Sequence, residues 1–192
     1  MSGCKLVSTP IEQNHNALCK ENGELLDNIT GYQRLIGKLI ILAHTRPDIS
    51  YTVHVLSQYM HSPTNGHLKV AFGLLRYLKQ SPGRGVLFSK GSHFDLVAYA
   101  DSGWAKCLET RKSITGYCVF LGNSMVSWKS KKQMTVSRSS AEAEYRSVCA
   151  VACEVVWIKN ILSELDIHVN VPVKLFCDNT AALVDSSKLC LS

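Results

Sequence analysis

The hydrophobic pattern of the chain changes its period once, near residues 91–95, and this change restricts the folds available to it. Before that point, apolar residues recur every three or four positions, as they do on one face of an α-helix. After it, apolar and polar residues alternate in short runs that are typical of β-strands. A chain of 192 residues can hold two small domains, so the pattern predicts a helical segment followed by an α/β domain.

The helical segment is expected to contain three helices. The first should follow Asn28, a residue type that caps helix N-termini. The second should begin at Pro47, because proline suits the first helical position, and the third should run from about 67 to 80. We expect residues 1–24 to be a poorly ordered lead-in and residues 25–90 to form this segment. Its amphipathic helices would also suit an independent protein-interaction module, and that alternative stays open.

Residues 91–192 predict an α/β domain with the order β-β-β-α-β. A strand over 95–101 precedes two strands that meet at the turn-forming pair Gly122-Asn123. A long helix follows, and "VPVKLFCDN" is the fourth strand. A crossover of this length joins parallel strands, so the fourth strand should pair in parallel with the first and make a mixed sheet.

Two of these strands lead directly into an aspartate. Asp101 follows "LVAYA", and Asp178 follows "VKLFC". Because the carboxyl ends of neighbouring parallel strands meet at one edge of a sheet, the two side chains should lie close together. Each could instead be a turn or cap residue, with Asp178 capping a helix that begins at Thr180.

The long helix supplies a third carboxylate. Ser139 and Glu142 have the spacing of a capping box, and Arg146 can pair with Glu142 on the solvent side. Glu144 instead begins the apolar stripe that must lie on the sheet. A carboxylate at the edge of a core is costly unless a partner holds it, and a metal ion is a natural partner. We therefore predict that Asp101, Glu144 and Asp178 are both the catalytic and the metal-binding residues.

Three carboxylates without a nearby histidine suit hard divalent cations, above all Mg²⁺. We expect two Mg²⁺ ions in an intact site, with Mn²⁺ as the alternative ion. Such a pair supports phosphodiester hydrolysis.

The net charge of +6 is concentrated after the first aspartate-ended strand. This cluster is either a solvated face or a surface for a polyanion such as nucleic acid. The predicted nucleic-acid-binding residues are Lys106, Arg111, Lys112, Lys129, Lys131, Lys132 and Arg138. Of the three tryptophans, Trp104 and Trp128 fall in the same region, and their expected role is structural packing rather than contact with substrate.

Several common classes of protein do not fit the sequence. The longest apolar run, Leu39–Ala43, is far shorter than the roughly 20 residues of a membrane-spanning helix. The N-terminus has no apolar core of a secretory signal. The eight cysteines form no Cys-x-x-Cys pair, so we expect reduced thiols packed as small hydrophobes in an intracellular protein, not a zinc site.

Long phrases of the sequence resemble one protein family. "YADSGWAKCLETRKSITGYCVFLGNSMVSWKSKKQMTVSRSSAEAEYRS" and "LFCDNTAAL" resemble the ribonuclease H domain of copia-type LTR retrotransposon polyproteins. "YQRLIGKLIILAHTRPDISYTVHVLSQYMHSP" resembles the segment between the reverse-transcriptase palm and that domain. The resemblance covers nearly the whole chain. It implies a ribonuclease H-like mixed sheet, an upstream reverse-transcriptase domain as partner, and a location in cytoplasmic virus-like particles or the nucleus.

The resemblance also implies an activity, namely metal-dependent cleavage of the RNA strand of RNA–DNA hybrids. Four acidic residues carry it in the family, and three of them correspond to Asp101, Glu144 and Asp178. This chain has Gly103 where family members have a further aspartate. The resemblance places the fifth strand, the last helix and the fourth acidic residue after Ser192, and the polymerase palm before Met1. We therefore expect no polymerase activity and an impaired nuclease, or an inactive remnant that binds nucleic acid without turnover.

Overall fold

The computed structural model describes residues 3–11, 23–91, 93–107, 109–170 and 172–178. The chain divides into two compact units, residues 1–86 and 87–192. Part of the predicted lead-in, residues 1–2 and 12–22, lies outside the described residues. So do the predicted helix from Thr180 and any element after it.

The first unit is helical. It contains α1 (Ile29–Ala43), a 3-10 turn (Pro47–Ile49), α2 (Ser50–Ser57) and α3 (Asn65–Gln80). The predicted cap of α1 is confirmed, since Asn28 Oδ1 accepts a hydrogen bond of 2.8 Å from the Gly31 N–H. The prediction that an α-helix begins at Pro47 was wrong, because this proline opens the 3-10 turn and α2 begins at Ser50.

The buried face of α3 differs from the predicted one by about one position. The apolar residues at helix spacing, Leu68, Phe72, Leu75 and Leu78, predict the buried face, but Phe72 is 43% exposed and Leu74 is fully buried. The difference arises at the N-terminus, where His67 points inward as part of a capping box. The Thr64 N–H donates to His67 Nδ1 at 2.9 Å, and the ring stacks on Tyr59. A histidine used as a cap thus sets the rotation of the helix.

The second unit is a four-stranded mixed sheet with one long helix among the described residues. The strands are β1 (Leu96–Gly103), β2 (Ile114–Leu121), β3 (Ser124–Lys132) and β4 (Lys174–Cys177), and the helix is α4 (Ser140–Glu164). Their order in the sheet is β3-β2-β1-β4, with β4 parallel to β1 and the other pairs antiparallel. This architecture confirms the predicted mixed α/β fold and is compatible with a ribonuclease H-like fold.

Two local features complete the sheet. The β2–β3 turn uses Gly122 at a φ of +57°, where a Cβ atom would lie 2.8 Å from the His93 carbonyl oxygen. Strand β1 continues to Gly103, which pairs with Ile114, so the expectation that it ends at Asp101 was wrong by two residues. The backbone of Asp101 is therefore fixed, because the residues before and after it both pair with β2.

The core of the second unit forms between α4 and one face of the sheet. Leu96, Ala98 and Ala100 are buried on β1, and they alternate with outward-facing residues. Val151 and Val155 are fully or almost fully buried on α4. The small alanines permit close approach of the helix, which brings its first turn to the carboxyl end of β1.

Candidate metal centre

Strand register places two of the candidate carboxylates side by side. Ala100 on β1 pairs with Cys177 on β4. The next residue along β1 is Asp101, and the residue that follows β4 is Asp178. Both aspartates are exposed at this edge. The parallel crossover thus produces the neighbouring acidic positions that the sequence predicts.

Helix α4 adds the third carboxylate from above the sheet. Glu144 lies in the first turns of α4 and is only 6% exposed. Its Oε1 accepts a hydrogen bond of 3.1 Å from the backbone N–H of Ser102. This bond ties the start of the helix to the end of β1 and fixes the carboxylate between the two aspartates.

The three side chains converge. One carboxylate oxygen each from Asp101, Glu144 and Asp178 lies within 4.8 Å of the other two. The predicted convergence is confirmed. Oxygen ligands on opposite sides of one Mg²⁺ are about 4 Å apart, so the cluster is close to the size that one or two ions require.

Glu142 points away from this cluster, also as predicted. The Ser139 hydroxyl accepts from the Glu142 N–H at 3.1 Å, and the Glu142 carboxylate pairs with Arg146 at 2.8 Å. The return bond of the capping box differs, because Glu142 accepts from the Arg138 N–H and not from that of Ser139. The backbone bond from Arg138 lowers the pKa of Glu142, with a further contribution from Arg146. Glu142 is thus a helix cap.

The electrostatics of Glu144 favour a bound cation. Burial, together with the negative charges of Asp101 and Asp178, raises the pKa of Glu144 to about 7. Its Oε2 is buried without a hydrogen-bond partner, and so is the nearby Ser102 Oγ. Buried polar atoms are rarely left unpaired unless something absent from the protein chain satisfies them. A hard divalent cation, with its bound water, fits this set of oxygen atoms.

The seven predicted nucleic-acid-binding residues do not share one face. Lys129 is paired with Tyr117, and its ammonium lies 5.8 Å from the ring centroid on the side of the sheet that α4 covers. Lys131 shares this side, while Lys132 alternates to the other and contacts Cys107 Sγ at 3.8 Å. A contact with nucleic acid stays a prediction for all seven.

Of the seven residues, Lys106 and Arg138 lie nearest in sequence to the carboxylates. A Cβ atom at Gly103 would lie 2.7 Å from the Lys106 side chain, so Lys106 passes across the end of β1. Arg138 directly precedes the cap of α4. Arg111 is exposed in the intervening loop at a φ of 52°, and Lys112 is half-buried.

Two expectations about side-chain packing were wrong. Trp104 is 51% exposed and not a buried structural residue. Cys149 and Cys153 are exposed on α4 and do not pack as small hydrophobes, although the six cysteines among the described residues are all free thiols. Nothing in the local sequence distinguishes these positions from buried ones, because exposure depends on which helix face meets the sheet.

Sequence reasoning also missed a buried polar cluster next to the site. Gln133 donates to Thr115 Oγ1 at 3.1 Å and to the Ala143 carbonyl at 3.0 Å. Ser137 donates to Gln133 Oε1 at 3.0 Å, and its own carbonyl accepts from Trp104 Nε1 at 3.2 Å. This cluster ties the segment that leads into α4 to Ala143, the residue before Glu144. A single glutamine between a strand and a serine-rich loop carries no signal of such a role.

Comparison with known proteins gives close relatives over most of the chain. It is 44% identical over 182 residues to a retrovirus-related Pol polyprotein from transposon RE1 of Arabidopsis thaliana, an alignment covering 95% of this chain. It is 34% identical over 194 residues to the corresponding polyprotein from transposon TNT 1-94 of Nicotiana tabacum, covering 98% of this chain. A secreted RxLR effector protein 161 of Plasmopara viticola is 38% identical over 128 residues, which are 66% of this chain and 90% of that protein.

Relatives at 34–44% identity over most of the chain are thus retrovirus-related Pol polyproteins from transposons, and the chain is similar to a part of them. It spans 12% and 14% of the two polyproteins, so it corresponds to a small part of each. No family model and no solved structure matches it. Among the described residues, the helices are too short or too polar to cross a membrane.

Proposed function

We propose that the second unit is the ribonuclease H part of a retrotransposon Pol polyprotein, which hydrolyses the RNA strand of RNA–DNA hybrids with divalent cations. The observation that carries this proposal is the convergence of Asp101, Glu144 and Asp178 within 4.8 Å. Relatives at 34–44% identity are retrovirus-related Pol polyproteins from transposons, which agrees with a retrotransposon-derived protein. The first unit then corresponds to the connecting segment after a reverse-transcriptase domain.

The three carboxylates would hold the cations, with Mg²⁺ as the proposed ion. When bound, such ions activate the attacking water and stabilise charge on the leaving oxygen. The chain itself supplies rigid placement, because two of the carboxylates stand at adjacent strand ends and the third is fixed by the Ser102 N–H. Rigid placement matters since a small error in ligand position weakens an in-line displacement strongly.

A cleavage assay tests this proposal. A hybrid labelled on its RNA strand is incubated with the purified chain and Mg²⁺, and the products are resolved by length. We expect RNA cleavage that disappears in EDTA and in Asp101→Asn or Glu144→Gln. Glu142→Gln is the matched control, because it removes a carboxylate from the same helical turn that points away from the cluster. Equal loss in the control, or cleavage that survives Glu144→Gln, would contradict the assignment.

The alternative is a protein that binds nucleic acid without turnover. The cationic side chain of Lys106 at the end of β1 suits this function as well, because it can pair with a phosphate without any reaction. The same experiment separates the two functions when binding of the hybrid is measured beside cleavage. Salt-sensitive binding with no Mg²⁺-dependent product would establish the alternative, since phosphate contacts alone give binding that falls with salt.

A further inference from the structure

Trp104 has the properties of a fixed, exposed contact surface. Half of its side chain is exposed, which is unusual for the largest apolar residue. Its indole N–H nevertheless donates to the Ser137 carbonyl at 3.2 Å. The ring is therefore anchored at one edge while part of it stays open to solvent. An anchored ring loses little conformational entropy when a ligand binds to it.

Ser137, which accepts the hydrogen bond from Trp104, is itself held by buried side chains. Ser137 is 3% exposed, and its hydroxyl donates to Gln133, which is 8% exposed. Gln133 in turn bonds to β2 and to the carbonyl of Ala143 in α4. Each bond in this chain lies inside the second unit, and the last one reaches the residue before Glu144. The position of Trp104 is thus coupled to the helix that carries the acidic cluster.

The loop that anchors Trp104 presents further apolar residues to solvent. Met134 is 80% exposed and Val136 is 53% exposed, and they lie between the buried Gln133 and Ser137. We call Trp104, Met134 and Val136 the apolar platform. Single exposed apolar residues are common, but here one is bonded to the loop that carries the other two, which makes this region a candidate binding surface.

Charge indicates the kind of ligand. Lys106 passes across the end of β1 two residues after Trp104, and Arg138 follows the anchoring residue Ser137. The platform is therefore flanked by cations on both segments that form it. An exposed aromatic ring between cations matches a nucleic-acid duplex, whose sugars and groove-lining base edges can pack against the ring while its phosphates pair with the cations. Packing against sugars does not depend on base identity, which suits an enzyme that must act on any sequence.

We propose that the apolar platform binds the RNA–DNA hybrid by apolar contact with its sugars and base edges beside the acidic cluster. This inference rests on the proposed function, because it assumes a hybrid substrate. It adds a second mode of recognition that is independent of charge. Loss of the ring should weaken binding without changing the number of phosphate contacts, so the dependence of affinity on salt should keep its slope.

Binding of a fluorescently labelled hybrid in EDTA, over a series of salt concentrations, tests the proposal. We expect Trp104→Ala to weaken binding by about tenfold with an unchanged salt slope, because an apolar contact of roughly 1.4 kcal/mol is lost and no phosphate contact is. Trp157→Ala is the matched control, because Trp157 is 58% exposed on α4, and its affinity should stay within about twofold of the wild type. Met134→Ser and Val136→Ser, both at exposed positions, should weaken binding without unfolding the protein.

A fluorescence measurement makes the test independent of folding defects. The chain has three tryptophans, so a Trp128→Phe/Trp157→Phe variant leaves Trp104 as the single emitter. Hybrid should quench this emission, whereas heparin, a polyanion without bases, should not. Two results would contradict contact between the apolar platform and the hybrid without contradicting the proposed function. One is equal quenching by heparin. The other is equal affinity of Trp104→Ala and Trp157→Ala for the hybrid, in a protein that binds and cleaves it. A wild-type protein that neither binds nor cleaves hybrid would instead overturn the proposed function.

Discussion

Glu144 is a carboxylate whose ionisation in the folded protein is unfavourable. A buried carboxylate beside two others resists ionisation, and its pKa of about 7 lies above the 4.5 of an exposed glutamate. Between these two values the folded protein holds more protons than the unfolded chain. The free energy of unfolding contributed by Glu144 is therefore greatest at low pH and falls as pH rises to about 7. The total loss is about 3 kcal/mol.

The first prediction follows from this linkage. In EDTA, Glu144→Gln should remove the decline in stability between pH 4.5 and about 7 and make the protein more stable than the wild type at neutral pH. Urea unfolding at several pH values measures it. Glu142→Gln should have the opposite effect, because the pKa of Glu142 is lowered and its ionised form supports the helix cap. A wild type and a Glu144→Gln variant with parallel pH profiles would contradict the buried position of this carboxylate.

The second prediction concerns the ion at the same residue. A cation must displace the proton on Glu144, so Mg²⁺ should raise the melting temperature more above the pKa of about 7 than below it. At a concentration ten times the dissociation constant, the stabilisation is about 1.4 kcal/mol. Thermal unfolding with and without Mg²⁺ on both sides of that pH measures the effect. Asp178→Asn should reduce it, and a pH-independent shift would argue for binding elsewhere.

At the scale of elements, the segment between β3 and α4 depends on one glutamine. Gln133 uses its side-chain amide to hold β2, α4 and Ser137 together in a buried position. We predict that Gln133→Leu lowers the free energy of unfolding by about 2–3 kcal/mol, because buried partners lose their hydrogen bonds. It should also change the emission of Trp104, whose anchor loosens. Met134→Ala, the exposed neighbour, should change stability by less than about 0.5 kcal/mol in the same urea titration.

The element scale also shows which structural features the sequence predicts. The strand order and the opposite directions of the Glu142 and Glu144 side chains follow from local signals: alternation, the length of the crossover and the spacing from Ser139. The rotation of α3 does not, because it depends on His67 meeting Tyr59 and Thr64 in space. The platform and the division of the basic residues between two sheet faces depend in the same way on partners distant in sequence. Contacts between elements decide these features, and periodicity within one element carries no information about them.

At the scale of the whole molecule, the two units have separate cores. The first contains Ile36, Leu56 and Leu74, and the second contains Ala98, Val119 and Val155; among the described residues, none belongs to both. Hydrophobic stabilisation is roughly proportional to the area that each core buries. Damage to one core should therefore open that unit at a lower free energy while leaving the other unit unaffected.

Hydrogen exchange measured by mass spectrometry on the full chain tests this last prediction. Leu56→Ala should cost about 2–5 kcal/mol and speed exchange within residues 23–86, because Leu56 is completely buried. Exchange in β1, β2 and α4 should be unchanged, and so should the stabilisation by Mg²⁺, since the acidic cluster belongs wholly to the second unit. Val119→Ala, the buried counterpart on β2, should produce the reverse pattern. Faster exchange across both units in either variant would mean that the chain unfolds as one cooperative body, and the acidic cluster would then depend on the helical segment for its stability.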